Sequence, residues 1–324
     1  MKASVIVFAS LVVSGVLALA SGSAAAQAYP SKPIRLIVPF PPGGGTDVTA
    51  RILSQALFDG PGWQVVVENR PGATGRIGTE FVAKAPPDGY TLLLGTAGPN
   101  AILPGAYSKL PYDAVRDFAP ISLIDSAAYA LVMHPSLPVK SVKDLVVIAR
   151  SRPGQITFAS AGNLSVGHLA GEFFKQFAKV DITHVAYKGG GPAVIATVSG
   201  ETALYFGGPS VVQQAKAGRL RAVATTGAKR SKVFPDLPTI AETLPGYEIA
   251  QWVGVLAPAG TPRDLVSNLH ATIVKAVGTA KVTQQFADVG SERIGNSPDE
   301  FAAHIKTEIA KWGKVIKGSN VPLE

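Results

Sequence analysis

The sequence predicts an α/β protein of two similar lobes, each a helix-covered mixed sheet, with strands crossing between them. Three observations carry that expectation. Short apolar runs alternate with helical stretches along most of the chain, the pattern of sheets covered by helices. A strand–glycine loop–helix unit occurs twice, roughly 120 residues apart, as two related lobes require. A helical segment after the last apolar crossing stretch then returns the C-terminal part of the chain to the first lobe.

Met1–Ala28 stands outside the fold. Lys2 supplies a basic start, Val5–Ala20 is apolar without an acidic residue, and Ala26-Gln27-Ala28 is a small-x-small cleavage pattern. An apolar stretch of about 16 residues is at the short limit of a membrane span. A secretory signal peptide cleaved before Tyr29 is expected instead of an anchor. The first unit starts at Ile34-Arg35-Leu36-Ile37-Val38, turns through Pro39-Phe40-Pro41-Pro42-Gly43-Gly44-Gly45-Thr46 and enters a helix to about Leu57. A second run, Gln64–Val67, leads through Arg70-Pro71-Gly72-Ala73-Thr74-Gly75 and another helix to the strand Thr91–Gly95. Ala119–Ile124 and Tyr129–Met133 are successive extended segments crossing between lobes, and Ser141-Val142-Lys143-Asp144 opens a capped helix.

The second unit repeats the order. Strand Gln155–Phe158 turns through Ala159-Ser160-Ala161-Gly162-Asn163-Leu164-Ser165 into a helix to about Phe177. Strand Ile182–Tyr187, loop Lys188-Gly189-Gly190-Gly191-Pro192, a short helix and strand Ala203–Phe206 follow, ending at Gly207-Gly208. Gly246–Leu256, with Trp252 inside it, is the return crossing. Thr261-Pro262 and Ser297-Pro298 each set a cap residue before a first-turn proline. The last helix shows Phe301, Ile305, Ile309, Trp312 and Ile316 on one face, with polar Glu308, Lys311 and Lys314 opposite. The expected division is residues 29–124 plus 253–324 for the first lobe and 125–252 for the second, with a hinge near 124–131 and 247–254.

The glycine loops suggest chemistry because each runs into a helix. A helix start carries unpaired N–H groups and the positive end of the peptide dipole, and glycine lets a ligand approach the backbone. Gly43–Thr46 and Ala161–Ser165 are thus candidate anion sites. If the lobes face each other, both converge on one small anion, with two carboxylates as a plausible form. Ordinary βα turns with glycine for tight packing are the alternative at each loop.

Composition excludes several classes. The 324 residues contain no cysteine, so disulfides, thiolate metal sites, a cysteine nucleophile and a lipidated N-terminal cysteine are all ruled out. The net charge of +8 falls to +7 without Lys2, and the basic residues are scattered, the densest cluster being Lys229-Arg230-Ser231-Lys232. That suits attraction of small anions and not a nucleic-acid surface. Gly162-Asn163-Leu164-Ser165-Val166-Gly167 has the wrong spacing for a nucleophile elbow, and Gly43-Gly44-Gly45-Thr46-Asp47 matches neither a P-loop nor a dinucleotide fingerprint. The five histidines, His134, His168, His184, His270 and His304, lack metal-ligand spacing. His168 lies in the first turn of the second-lobe helix and either faces a ligand, braces the loop or is merely packed. His184, in a strand, is expected in the core. No metal or cofactor is implied.

At these loops the chain closely resembles the solute-binding receptors of tripartite tricarboxylate transporters, the Bug or TctC family. The landmarks include Tyr29-Pro30-Ser31-Lys32-Pro33, Pro39-Phe40-Pro41-Pro42-Gly43-Gly44, Glu68-Asn69-Arg70-Pro71-Gly72-Ala73 and Pro86-Pro87-Asp88-Gly89-Tyr90. They continue through Ala159-Ser160-Ala161-Gly162, His168-Leu169-Ala170-Gly171-Glu172, Tyr187-Lys188-Gly189-Gly190 and Pro235-Asp236-Leu237-Pro238. The resemblance implies a type II periplasmic binding protein with a Venus-flytrap closure, free in the periplasm, monomeric, and delivering a carboxylate to a large and a small membrane subunit. It implies first-lobe contacts from Phe40, Pro41, Pro42, Gly43, Gly44, Thr46 and Asp47, with Thr96 and Ala97. From the second lobe it implies Ser160, Ala161, Gly162, Ser165 and His168, with Lys188 and Gly189 near the rim. One departure stands out. Family members commonly carry an Asp where this chain has Gly207-Gly208-Pro209. Gly207 is therefore expected beside the ligand, making room for a bulkier acid without an amine, unless it only shapes a turn. The rival readings are a secreted hydrolase or lyase on the same scaffold and a ligand sensor for a signalling receptor.

Overall fold

The structure, a computed structural model, describes residues 29–208, 211–231 and 234–319. The expected signal peptide, Pro209 and Lys232 lie outside the described residues. The chain divides into two compact units, residues 1–32 and 33–324, and the fold that follows is that of the second.

Strand β1 (Ile34–Val38) is buried at every position except half-buried Arg35. It lies between β2 (Val65–Asn69) and β3 (Thr91–Thr96), parallel to both. Helices α1 (Gly45–Asp59) and α2 (Arg76–Ala83) make the two crossovers. β3 is buried at all six positions, as a parallel strand covered on both faces must be. A π-type turn over Gly98–Ile102 follows, then the short α3 (Leu103–Ala106). Strand β4 (Phe118–Ala128) belongs to the same sheet, and Tyr129 alone separates it from β5 (Ala130–Met133), which belongs to another.

The second sheet has five strands in the order β7-β6-β8-β5-β9, with β6 (Thr157–Ser160), β7 (Thr183–Ala186), β8 (Leu204–Gly207) and β9 (Arg221–Thr225). β6 runs parallel to β7 and β8, and β5 antiparallel to β8 and β9. Its helices are α4 (Val142–Ser151), α5 (Val166–Ala178), α6 (Gly190–Val198) and α7 (Val211–Lys216). Ser141 caps α4, its hydroxyl accepting from the Asp144 N–H. Phe174 and Phe206 pack together with Tyr247, whose hydroxyl donates to the Ala170 carbonyl.

The stretch expected as a return crossing does more than cross. β10 (Ala250–Pro258) runs between β3 and β4, antiparallel to both, and β11 (Glu292–Arg293) edges β4, giving the order β11-β4-β10-β3-β1-β2. The first sheet thus draws strands from both parts of the chain. Helices α8 (Arg263–Val277), α9 (Ala280–Asp288) and α10 (Pro298–Lys317) follow. α10 opens with a full capping box between Ser297 and Glu300 and has Pro298 as its first residue. It packs on β4, α3 and the turn before α3. A Cβ at Gly105 would sit 2.8 Å from the Gly313 nitrogen, so only glycine lets these two helices approach so closely.

Two local expectations are corrected. Thr261 does not cap α8, because that helix starts one residue later, after Pro262, and the Thr261 hydroxyl donates to the Pro258 carbonyl. Glu308 is not on the polar face of α10. It is buried, and its carboxylate accepts from the indole N–H groups of Trp252 and Trp312 while pairing with Lys311. A buried carboxylate is tolerated because these donors satisfy it.

Candidate functional site

The strand directions bring both glycine loops to the edges that the crossings join. β4 runs in the same sense as β1, β2 and β3, since β10 is antiparallel to β3 and to β4. Its last residue, Ala128, leads straight into Tyr129, so the carboxyl ends of these strands lie at the crossing. In the second sheet Gly207, ending β8, pairs with Ala130, the first residue of β5. The carboxyl ends of β6, β7 and β8 therefore lie at the crossing too. Ligands of α/β sheets bind outside such carboxyl edges.

Thr226 ties the two crossing segments together. The Thr226 hydroxyl donates to the Ile249 carbonyl at 2.6 Å and accepts from the Tyr129 N–H at 2.8 Å. Two backbone bonds, Thr226 N–H to Tyr129 and Ile249 N–H to Thr226, each 2.8 Å, complete the clamp.

On the first sheet, Phe40 is half-buried, while Pro41, Pro42, Gly43, Gly44 and Gly45 are exposed and Thr46 is half-buried. Gly44 is the N-cap of α1 and supplies no side-chain cap, so the first-turn N–H groups stay open to a ligand. Gly43 has φ +82°, a conformation glycine adopts without strain. Asp47 departs from expectation. Its carboxylate accepts from the Gly43 N–H (3.0 Å), Arg51 Nε (2.9 Å) and Asn69 Nδ2 (2.9 Å). Burial alone would raise its pKa, but the bonds from Arg51, Gly43 and Asn69 outweigh that and hold it at about 2. A charged carboxylate so occupied braces the loop and does not hold an acid. Asn69 also donates to the Phe40 carbonyl, so it fixes the loop twice.

Thr96 and Ala97 also depart from expectation. Both are fully buried, because the turn Gly98–Ile102 folds over them. Thr96 donates its N–H to Asn100 Oδ1 at 3.1 Å. The Thr96 hydroxyl and Asn100 Nδ2 have no partner among the described residues.

On the second sheet, the turn from Ser160 to Ser165 is fixed by two histidines. Ser160 Oγ lies 2.6 Å from His184 Nε2, and also contacts the Gly162 N–H (3.1 Å) and carbonyl (3.0 Å). The His168 ring stacks on His184, centroids 3.7 Å apart, and its Nδ1 accepts from the Leu164 N–H. Leu164 itself has φ +57°. Ser165 caps α5, accepting from the His168 N–H. Burial, and then the charge His184 would carry, push His168 down to about 3. Burial and Lys175 push His184 down to about 4. Both rings are therefore neutral near neutral pH. His168 braces the loop, and His184, expected in the core, is half-buried beneath it. The β6–β7 pairing that brings His184 to Ser160 is a long-range contact with no local signal, so the sequence did not reveal it.

Ala161 and Gly162 are half-buried on this turn. Lys188 is exposed, and the Gly189 N–H donates to the Ala161 carbonyl, tying the next loop to the first. Gly207, the last residue of β8, is buried. A Cβ there would overlap Val211 Cγ1 and sit 2.5 Å from Tyr205 Cε1, so close packing requires glycine at this position. At Gly208 a Cβ would lie 3.6 Å from the Tyr129 ring, an ordinary contact. Among the described residues no group of three or more His, Asp or Glu side chains could hold a metal ion.

Comparison with known proteins gives this geometry its context. The model of the tripartite tricarboxylate transporter family receptor matches residues 49–321. The chain belongs to this family. It is similar to the protein BugT of Bordetella pertussis, 37% identical over 97% of this chain and 98% of that one. Among solved structures it is similar to an R. palustris protein with adipate, at 39% identity and TM-score 0.82 over 90% of this chain and 98% of that one. MatC from Rhodopseudomonas palustris with bound malate gives 30% identity and TM-score 0.78 over 89% and 99%. The periplasmic binding protein BugD gives 32% and 0.80 over 91% and 100%. The α/β fold with two mixed sheets is that of the family's periplasmic binding proteins.

Proposed function

We propose that this receptor captures a small carboxylate between its two sheets in the periplasm and delivers it to a tripartite membrane transporter with a large and a small subunit. The observation that carries the proposal is the pair of glycine-rich loops leading into α1 and α5, one at the carboxyl edge of each sheet, on either side of the Thr226 clamp. Helix N-termini at both edges, the first of them without a side-chain cap, suit an anion. The similar proteins solved with adipate and with malate support a carboxylate as that anion.

The lobes are 29–124 plus 253–324 and 125–252, hinged near 124–131 and 247–254. Capture proceeds by closure about that hinge, the closed state being favoured by the contacts the ligand adds. First-lobe contacts come from Phe40–Gly44 and Thr46, second-lobe contacts from Ala161, Gly162 and Ser165, with Lys188 at the rim. Asp47, Ser160, His168 and Gly189 act one step back, holding those loops in shape. The protein acts as a monomer and binder, not as an enzyme.

Calorimetry of the mature protein against a panel of mono-, di- and tricarboxylates, each paired with its methyl ester, tests this. Binding of an acid and loss of that binding in the ester are expected, since bonds to the charged carboxylate are the stronger ones. Equal affinity for acid and ester would refute it.

A further inference from the structure

We propose that Thr74 is a further ligand-binding residue of the first lobe, held on a strained turn so that its hydroxyl meets a ligand carboxylate beside the Phe40 ring. The inference rests on the receptor reading and adds a contact to it.

The turn joins β2 to α2 at the same carboxyl edge as the Phe40 loop. Four residues in succession have positive φ: Gly72 (131°), Ala73 (47°), Thr74 (56°) and Gly75 (88°). For glycine that backbone is free of strain. For a β-branched threonine it is an outlier, and such outliers persist where the surroundings enforce them and cluster at ligand sites. Thr74 is exposed, and its hydroxyl makes no hydrogen bond to another described residue, so nothing in the fold itself calls for threonine here.

The surroundings do enforce the turn. A Cβ at Gly78 would lie 2.8 Å from the Arg70 carbonyl and 2.9 Å from Pro39 Cα, and one at Gly75 would lie 3.2 Å from both Phe40 Cζ and Pro99 Cγ. The turn is thus wedged between the loops that follow β1 and β3. Thr74 covers the latter: a Cβ at Gly98 would lie 3.7 Å from the Thr74 carbonyl oxygen and 3.9 Å from both Thr74 Cγ2 and Phe40 Cζ. Thr96 and Ala97 are buried while Thr74 is exposed, so at this point of the edge Thr74 presents the surface. A free hydroxyl on a turn whose next residue, Gly75, packs against the Phe40 ring suits a carboxylate on a short carbon skeleton, the hydroxyl donating to an oxygen and the ring covering methylene groups.

The test is calorimetry and thermal melting of the mature protein and of Thr74→Gly, Thr74→Val and Thr74→Ser, with adipate, malate and the tightest acid of the panel as probes. Thr74→Gly relieves the backbone strain, so its melting temperature is expected to hold or rise while affinity falls by roughly ten- to a hundredfold, the worth of one hydrogen bond to a charged group. Thr74→Val should lose affinity similarly, and Thr74→Ser should keep it. Wild-type affinity in Thr74→Gly overturns the inference, whether or not Thr74→Val folds. A lowered melting temperature for Thr74→Gly overturns the strain argument. If the wild type binds no carboxylate at all, the receptor reading fails and this inference with it.

Discussion

Replacing Thr226 by valine removes a hydroxyl that serves both chain crossings at once. Valine has nearly the same shape, so packing is kept and the two backbone bonds to Tyr129 and Ile249 can remain. Two buried groups lose their side-chain partner: the Tyr129 N–H, bonded at 2.8 Å, and the Ile249 carbonyl, bonded at 2.6 Å. Thr226 is fully buried, so water cannot replace the hydroxyl. An unsatisfied buried donor or acceptor costs about 1–3 kcal/mol. The pair together should cost about 2–6 kcal/mol, a large share of a typical stability of about 5–15 kcal/mol. Urea unfolding of wild type, Thr226→Val and Thr226→Ser measures this. Serine keeps the hydroxyl and loses one methyl group, about 1 kcal/mol. A Thr226→Val variant within about 0.5 kcal/mol of wild type, the range of an inert surface change, would refute the clamp.

Three other perturbations have signs fixed by the structure. Burial, offset in part by the Thr49 hydroxyl, pushes Asp125 up to about 7. Because this lies above its unfolded value of about 3.9, the stabilising contribution is present below pH about 4 and is lost as pH rises toward 7. Asp125→Asn should therefore exceed wild type in stability at pH 8, by at most about 4 kcal/mol, and lose that advantage at pH 4. An equal difference at both pH values would contradict this. His168 has the opposite sign: its folded value of about 3 lies below the ordinary 6.5, so stability is present above pH about 6.5 and falls by about 2 kcal/mol on reaching pH 5. His168→Asn should flatten that slope in unfolding scans from pH 7 to 5, and an unchanged slope would count against it. Gly207→Ala should lose about 1–3 kcal/mol by overpacking against Val211 and Tyr205, checked by the same urea unfolding, and no loss would mean that the site has room.

The fold was legible wherever periodicity and capping act locally. Ser297 with Glu300, the face of α10 carrying Phe301, Ile305 and Trp312, and the strand runs of β1 and β3 all follow from spacing within a few residues. Glu308 was misread because α10 presents it to Trp252, and that contact spans 56 residues. The second lobe's loop was legible as a glycine turn, but its bracing was not. Ser160 meets His184 only after β6 and β7 pair, so nothing near either residue announces it. Thr96 and Ala97 were placed at the right strand end. They are covered because the turn after them is of π type, and no glycine or proline pattern in Gly98-Pro99-Asn100 specifies that geometry.

The two lobes repeat a backbone design and differ in how it is held. In each, a side chain one turn inside the helix reaches back to a loop N–H: Asp47 to Gly43 in the first, His168 to Leu164 in the second. The second brace is a neutral imidazole and adds no charge beside an anion. The first is a carboxylate, which would repel an acid bound a few residues away. It can serve there because Arg51 compensates its charge and Asn69 and Gly43 take up its lone pairs. The strand–loop–helix repeat seen in the sequence therefore reports shared backbone geometry. The chemistry that makes each loop acceptable to an anion lies in residues at which the two copies differ, Arg51 and Asn69 in one and His184 in the other.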